Sequence, residues 1–402
     1  MSEPADVRLT PSTMVAGGAA LAHDDGGRVV FVDGALPGET VSVRLTEIRA
    51  DFARGTTVEV LEPSPDRISP PCPALADGCG GCSWQHILPE AQVRFKVGIV
   101  LDALRRIGHL RGAPEPVIVS LDGPALRTTA RLAVTPDGRA GYRPRGSEGA
   151  VATDSCLAAH PLLEELIATG RYPGADEVLL RVGVASGERL ARVRPDAAVG
   201  AALVPADVVV VGASGDACVH ETVAGRTFRV SAGSFFQPGP VAAAGLVAAV
   251  ADAVTAPEGA SGQVVDAYAG VGLFASVLGS RLGSRVTAIE SDRSAVADAR
   301  VNLADVDAQV APVDVDRWHP RRGSPAVDVM VADPPRPGLS RPGVSAVVAA
   351  RPARLVLVSC DPASLGRDTA LLRQAGYHLS SVALVDAFPH TFHVETVARF
   401  DR

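Results

Sequence analysis

The sequence predicts an α/β protein: a mostly parallel, doubly wound sheet in the final third, a small barrel of β-strands at the start and a mixed α+β stretch between them. Three observations carry this. From about Val15 to Glu62 short apolar/polar alternations, GRVVFVDG, ETVSVRL and GTTVEVLE, lie between Gly, Pro and Asp turns. From Leu126 to about Val230 strand-like runs such as RLAVTPDG and EVLLRVG appear among mixed signals. After an Ala-rich helix around Val241 to Val254, strands and helices alternate as GQVVDAY, FASVLGSRL, RVTAIE, SAVADARVNLA, VDVMVADPP and LVLVSC, the order of right-handed βαβ units. The expected domains are 1–62, 63–235 and 236–402.

Between barrel and middle, Pro63 to Gly81 is rich in Pro and Gly and reads as a linker into a cysteine cluster. A helix is expected from Glu90 to Ile107, with Val93, Val97, Val100, Leu101 and Leu104 on one face. With 47% hydrophobic and 21% charged residues in 402, the chain can bury a large core. MSEPADVRLTPS lacks the pattern of a signal peptide, and the most apolar run, Pro240 to Val254, is short and broken by Asp252. A cytoplasmic protein without membrane association is expected. Its six cysteines then read as metal-binding or catalytic thiols rather than disulfides. A net charge of -7 argues against binding dominated by phosphate contacts, but an arginine-lined cleft can still hold a polyanion. Lys96 is the sole lysine.

Five stretches carry chemistry. In DAYAGVGLFA (Asp266 to Ala275), Gly270 and Gly272 form a turn between strand and helix, and Glu290 ends the next strand where a carboxylate can accept ribose hydroxyls. G-x-G-x-x-A fits NAD or FAD as well as S-adenosylmethionine. In DPPRPGL, Asp333 follows a buried strand and stands at the ligand-binding edge of such sheets. In VLVSCDPASLGRD, Cys360 lies between a strand and a helix capped by Asp361, whose positive end should favour the thiolate. In DAFPHTFHVET, a Phe388-Pro389 turn leads into a short strand that presents His390, His393 and Glu395 as candidate bases. In CPALADGCGGC, Cys72, Cys79 and Cys82 form a metal-binding cluster that needs a fourth ligand, Cys156 in preference to Cys218; zinc and a [4Fe-4S] cluster both take four thiolates.

Together these motifs resemble the RNA uridine C5-methyltransferase family over nearly the whole chain. The segment 15–62 is similar to the TRAM domain, an oligonucleotide-binding barrel, and SFFQ, DAYAGVG, DPPRPGL, SCDPASLGRD and DAFPHTFHVE appear in the family's order. The resemblance implies a Rossmann-like class I methyltransferase domain with S-adenosylmethionine contacted by Gln237, Tyr268, Glu290, Asp314 and Asp333. It implies Cys360 as nucleophile, Glu395 as base, and a [4Fe-4S] cluster on Cys72, Cys79, Cys82 and Cys156. It points to RNA as partner, 23S ribosomal RNA ahead of tRNA, with Arg127, Arg131 and Arg143 expected to grip single-stranded or loop RNA; independently of the resemblance, a monomer is the default expectation. Two rivals of other classes are an NAD-dependent iron-sulfur oxidoreductase and a non-catalytic RNA-binding protein; Cys360 and Glu395 disfavour both.

Overall fold

The structure, a computed structural model, describes residues 6–254, 263–320 and 326–402. The first five residues of the expected barrel segment and Gly262 of GQVVDAY lie outside the described residues.

Strands β1 (Val7–Leu9), β2 (Thr13–Met14), β3 (Ala20–His23), β4 (Val29–Asp33), β5 (Thr40–Ile48) and β6 (Phe52–Glu62) form one curled sheet in the order β1-β5-β6-β4-β3-β2. Alternation turns Val30, Val32, Val41 and Val43 inward, where Trp84 and Ile87 complete the core. The segment expected to be a linker is pinned instead. Glu39, fully buried, accepts from Arg67 Nε at 2.5 Å, from Arg67 Nη2 at 2.7 Å and from the backbone of Leu36 and Ser64. A buried carboxylate needs that many donors, and here they tie the segment after β6 back to the barrel.

Helix α1 (Pro89–Arg106) comes next. Its buried side differs from the expected stripe: Gln92 and Lys96 point inward with Ile99, Val100, Ala103 and Leu104, whereas Val93, Val97 and Leu101 are half-buried. Polar inward positions escape a hydrophobic-period reading because their partners come from elsewhere in the chain.

A short β7 (Val117–Ile118) precedes the middle sheet, built from β8 (Thr129–Val134), β9 (Ala140–Tyr142), β10 (Val151–Ala152), β11 (Glu177–Val182), β12 (Arg189–Arg194) and β13 (Val208–Val211), in the order β10-β9-β8-β11-β12-β13. Helix α2 (Pro161–Thr169) covers it with Leu163, Leu166 and Ile167. The hairpin β14 (Cys218–Val223) and β15 (Arg226–Ser231) then leads to α3 (Pro240–Ala253).

The last sheet holds β16 (Gln263–Ala267), β17 (Val286–Glu290), β18 (Ala308–Pro312), β19 (Val327–Ala332), β20 (Arg354–Ser359), β21 (His378–Val385) and β22 (Glu395–Asp401), ordered β18-β17-β16-β19-β20-β22-β21-β7. The first five are mutually parallel, and β22 runs antiparallel to both β20 and β21. Helices α4 (Leu273–Leu282), α5 (Arg293–Asn302), α6 (Ser340–Ala350) and α7 (Pro362–Gln374) connect the strands. A sheet covered on both faces needs continuous apolar strands, and β20, buried at every position, is one. Among the described residues no helix is long and apolar enough to cross a membrane.

Candidate active site

The parallel strands end at one edge, and the motifs collect there. After β16, Tyr268 takes a left-handed backbone (φ 61°), as do Gly270 (54°) and Gly272 (92°). The two glycines serve different ends. Nothing lies within 4 Å of where a Cβ on Gly270 would stand, whereas one on Gly272 would meet Leu303 Cγ at 3.0 Å. Glu290 holds the turn: Oε2 accepts from Gly270 N at 2.9 Å, and Oε1 accepts from Ser291 N and Asp292 N at 2.7 Å each. Asp266, fully buried beneath the turn, accepts from Ala275 N at 2.7 Å through Oδ2, and its Oδ1 has no partner among the described residues. Burial, with the charges of Asp333 and Glu290 adding to it, pushes this carboxyl up to about 8.

Beside the turn lies an open cleft of about 300 Å³ lined by Tyr268, Ile289, Glu290, Asp314, Asp316 and Leu339, with Pro335 and Gly338 of DPPRPGL forming a wall. Among the described residues three carboxylates line it and no basic side chain does. That lining bears on the cofactors weighed from the glycine pattern. A helix N-terminus can hold a dinucleotide's pyrophosphate without basic side chains, but three carboxylates beside it would repel that group, whereas they attract the sulfonium and ammonium of S-adenosylmethionine. The acidic lining favours S-adenosylmethionine.

On the other side of DPPRPGL is a buried acidic cluster. Asp333, after β19, donates its N–H to Ala267 O at 3.2 Å and accepts from Gln237 Nε2 at 3.1 Å. Burial pushes Asp333 up to about 7 against the Gln237 hydrogen bond. Cys360 stands directly after β20 and Glu395 opens β22. Ser359 and Thr396 are partners in the antiparallel ladder, so the next positions, Cys360 and Glu395, oppose each other at the strand ends. Thr396 Oγ1 donates to Ser359 O at 2.9 Å and locks that register. Glu395 is 5% exposed, and burial with the charge of Asp333 raises its carboxyl well above the usual range.

Two expectations change here. Asp361 does cap α7, accepting from Ser364 N at 2.7 Å, but the helix end does not make Cys360 acidic. Burial and the charges of Glu395 and Asp333 push its thiol up to about 11, with Arg336 opposing them. Likewise His390 and His393 are not on a strand. His390 has a left-handed backbone (φ 62°), and both histidines sit in the loop before β22. Burial and the neighbouring Arg336, Arg127 and Lys96 push His393 down to about 4, too weak a base at neutral pH.

Cys72, Cys79, Cys82 and Cys156 line a single small cavity together with Gln85 and Tyr142, and Cys218 stands apart at the start of β14. All four are free thiols. The CGGC glycines have a packing reason: a Cβ on Gly80 would lie 2.0 Å from Arg143 O, and one on Gly81 would lie 3.1 Å from the Tyr142 ring. Among the described residues no group of three or more His, Cys, Asp or Glu side chains could hold a metal ion. Of the arginines expected to grip RNA, Arg131 and Arg143 both pair with Glu177, and Arg127 stacks over the Phe388 ring at 6.0 Å.

Sequence reasoning gave no role to Arg336, Gln92 or Lys96. Arg336 is visible inside DPPRPGL, and Lys96 is conspicuous as the sole lysine; only the fold shows what they face.

A doubly wound sheet with a reversed final strand, carrying an acidic nucleoside cleft over its first strand ends, is the frame of a class I S-adenosylmethionine-dependent methyltransferase. Residues 6–58 match the TRAM domain, and residues 323–401 match the family described as tRNA (uracil-5-)-methyltransferase. An RNA methyltransferase of Streptomyces avermitilis, described as uncharacterised, is 36% identical across 99% of this chain and 98% of its own. Another from Streptomyces coelicolor is 37% identical across 95% of this chain and 90% of its own. The fold is shared with the Pyrococcus abyssi tRNA (uracil-54, C5)-methyltransferase, solved with S-adenosyl-L-homocysteine (TM-score 0.73, 23% identity, 98% of this chain and 100% of that one). The chain belongs to the S-adenosylmethionine-dependent RNA (uracil-5-)-methyltransferase family.

Proposed function

We propose that this enzyme methylates carbon 5 of a uridine in 23S ribosomal RNA through a covalent adduct on Cys360, with Glu395 as the base and a single chain as the working unit. The observation that carries the reading is the Ser359–Thr396 register, which brings Cys360 and Glu395 to neighbouring strand ends, near enough for the Glu395 charge to act on the thiol.

Carbon 5 of uracil is a weak nucleophile. Addition of the Cys360 thiolate to carbon 6 pushes electron density onto carbon 5 and makes it reactive. Tyr268, Glu290 and Asp314 of the cleft would hold S-adenosylmethionine, with Asp333 expected at its margin, and the bound cofactor would supply an electrophilic methyl group. Glu395 then takes the carbon 5 proton, and the thiolate leaves carbon 6 by elimination. A carboxyl raised by burial is a stronger base than an exposed one, which suits this step. Gln237, hydrogen-bonded to Asp333, orients that carboxylate. The uracil must leave any helical stack to be reached by both groups.

The four cysteines would hold a [4Fe-4S] cluster. They converge on one cavity without the close grouping that a single ion requires, and cluster ligands stand further apart because each binds a different iron. We assign it a structural role with secondary RNA contact.

The choice of 23S ribosomal RNA rests on the family resemblance of the cysteine loop and barrel taken together. The shared fold does not select it, because the match to the Pyrococcus abyssi tRNA enzyme spans 98% of this chain, loop and barrel alike. Methylation of tRNA uridine 54 is therefore the second reading, and mapping 5-methyluridine in both RNAs from a strain lacking the gene decides between them. For the mechanism, Cys360→Ala should bind S-adenosylhomocysteine yet form no methyluridine, and Glu395→Gln should accumulate a slow-migrating enzyme–RNA adduct. Near-normal activity of Cys360→Ala refutes the thiolate mechanism.

A further inference from the structure

β21 ends at Val385 and β22 begins at Glu395, and these two residues are ladder partners. The residues between them, 386–394, form a loop whose exit places Glu395. Three parts of the chain hold that loop. Ser83 and Trp84, next to Cys82, donate their N–H groups to His390 O at 3.0 and 2.8 Å. Phe392 packs against the barrel at Gly18, where an added Cβ would come within 2.6 Å of its ring. From α1, Gln92 Oε1 accepts from His390 N at 2.7 Å, and Lys96 Nζ donates to Asp386 Oδ1 at 2.6 Å and to Phe388 O at 2.9 Å.

Lys96 is the unusual member. Its side chain is fully buried, and taking an ammonium out of water costs several kcal/mol even when paired. A leucine in the core of α1 would stabilise the fold more cheaply. What an ammonium does and an alkyl group cannot is bind a side chain and a main-chain carbonyl two residues apart, fixing the loop's first turn in direction as well as position.

We propose that Lys96 is a positioning residue for the proton-abstraction step: bridging Asp386 and the Phe388 carbonyl, it holds the loop that aims Glu395 at the uracil. The inference rests on the adduct mechanism proposed above. Lys96 touches no reacting atom, so its loss should leave cofactor binding and methyl transfer largely intact and slow the removal of the carbon 5 proton. A displacement of about 1 Å in a reacting group costs on the order of 100-fold in rate.

The test uses the full-length, cluster-loaded enzyme and unmethylated RNA from a deletion strain. Lys96→Met keeps the length and removes the charge; Asp386→Asn leaves Lys96 in place and weakens its ion pair. The expected result for Lys96→Met is about a 100-fold lower kcat, KM for S-adenosylmethionine within twofold, a normal single-turnover methyl-transfer burst, and an accumulating covalent adduct. Asp386→Asn should show the same pattern more weakly, and it decides the matter if Lys96→Met does not fold. Turnover within twofold of wild type without adduct, or a loss matched by weakened cofactor binding, overturns the proposal. An adduct with Glu395→Gln but none with either loop variant sinks the role of Lys96 alone. No adduct in any of the three removes the mechanism and this inference together.

Discussion

Cys360 combines two demands that oppose each other. In the proposed mechanism it adds to the uracil ring in a site closed to water, and desolvation beside Glu395 and Asp333 disfavours its reactive thiolate, holding the thiol up at about 11. Arg336 is the cation that counters this at Cys360 and at Glu395 alike. The enzyme without ligands should therefore hold an inert thiol. Because the group titrates far above neutrality, the thiolate fraction grows about tenfold per pH unit below that point. Alkylation of Cys360 by iodoacetamide, measured by mass spectrometry, should thus rise log-linearly from pH 7 to about pH 10 with a slope near one. A plateau below about pH 8.5, the titration point of an ordinary thiol, would show a thiolate stabilised by the α7 terminus after all. Neither the size of the shift nor its sign was legible in SCDP, because the helix end is local while the two carboxylates come from β19 and β22.

Among the elements, the cysteine loop depends on close packing. Gly80 rests against the Arg143 carbonyl and Gly81 against the Tyr142 ring, so the loop is shaped by β9 as much as by its own sequence. Gly80→Ala would put a methyl group 2.0 Å from a carbonyl oxygen, a contact that must be relieved by moving backbone. Overpacking of this kind costs about 1–3 kcal/mol. The expected outcome is a lower melting temperature and, for the cluster proposed above, reduced iron per chain by elemental analysis; unchanged melting would contradict the packing. The loop's spacing marked it as metal-binding from sequence, and Cys156 was singled out as its partner. That the loop also clamps His390, 308 residues beyond Cys82 by the numbering, had no local signal.

For the molecule as a whole, the β14–β15 hairpin is fastened to the catalytic sheet through a buried polar knot. Asp298 on α5, fully buried, accepts from Ser231 N and Ser231 Oγ at 2.8 Å, from Ser234 Oγ at 2.6 Å, and from Arg229. Arg181 of the middle sheet donates to Ser231 O at 2.5 Å and to Ser234 O at 2.8 Å, so the knot also reaches β11. The knot includes Ser234, the first residue of SFFQ, three positions before the Gln237 that meets Asp333. Asp298→Ala removes the carboxylate that several donors share, and breaking a buried pair from one side costs about 3–5 kcal/mol. Urea unfolding should show a loss of that order, whereas a change under about 1 kcal/mol would mean that the hairpin is held by its apolar contacts alone.

The alternation of strands and helices, the glycine turn, the position of Cys360 between a strand and a capped helix and the grouping of three cysteines were determined by the amino-acid sequence itself, since each depends on neighbours a few residues away. Tertiary structure decided the rest. The pairing of Cys360 with Glu395 needs a reversed strand inserted beside β20. The choice of a cationic cofactor over a dinucleotide needs carboxylates from separate segments to line one cleft. The burial of Lys96 needs α1 to pack against a loop 290 residues away. Electrostatic energies depend on distance in space and on exclusion of water, and neither quantity is written along the chain.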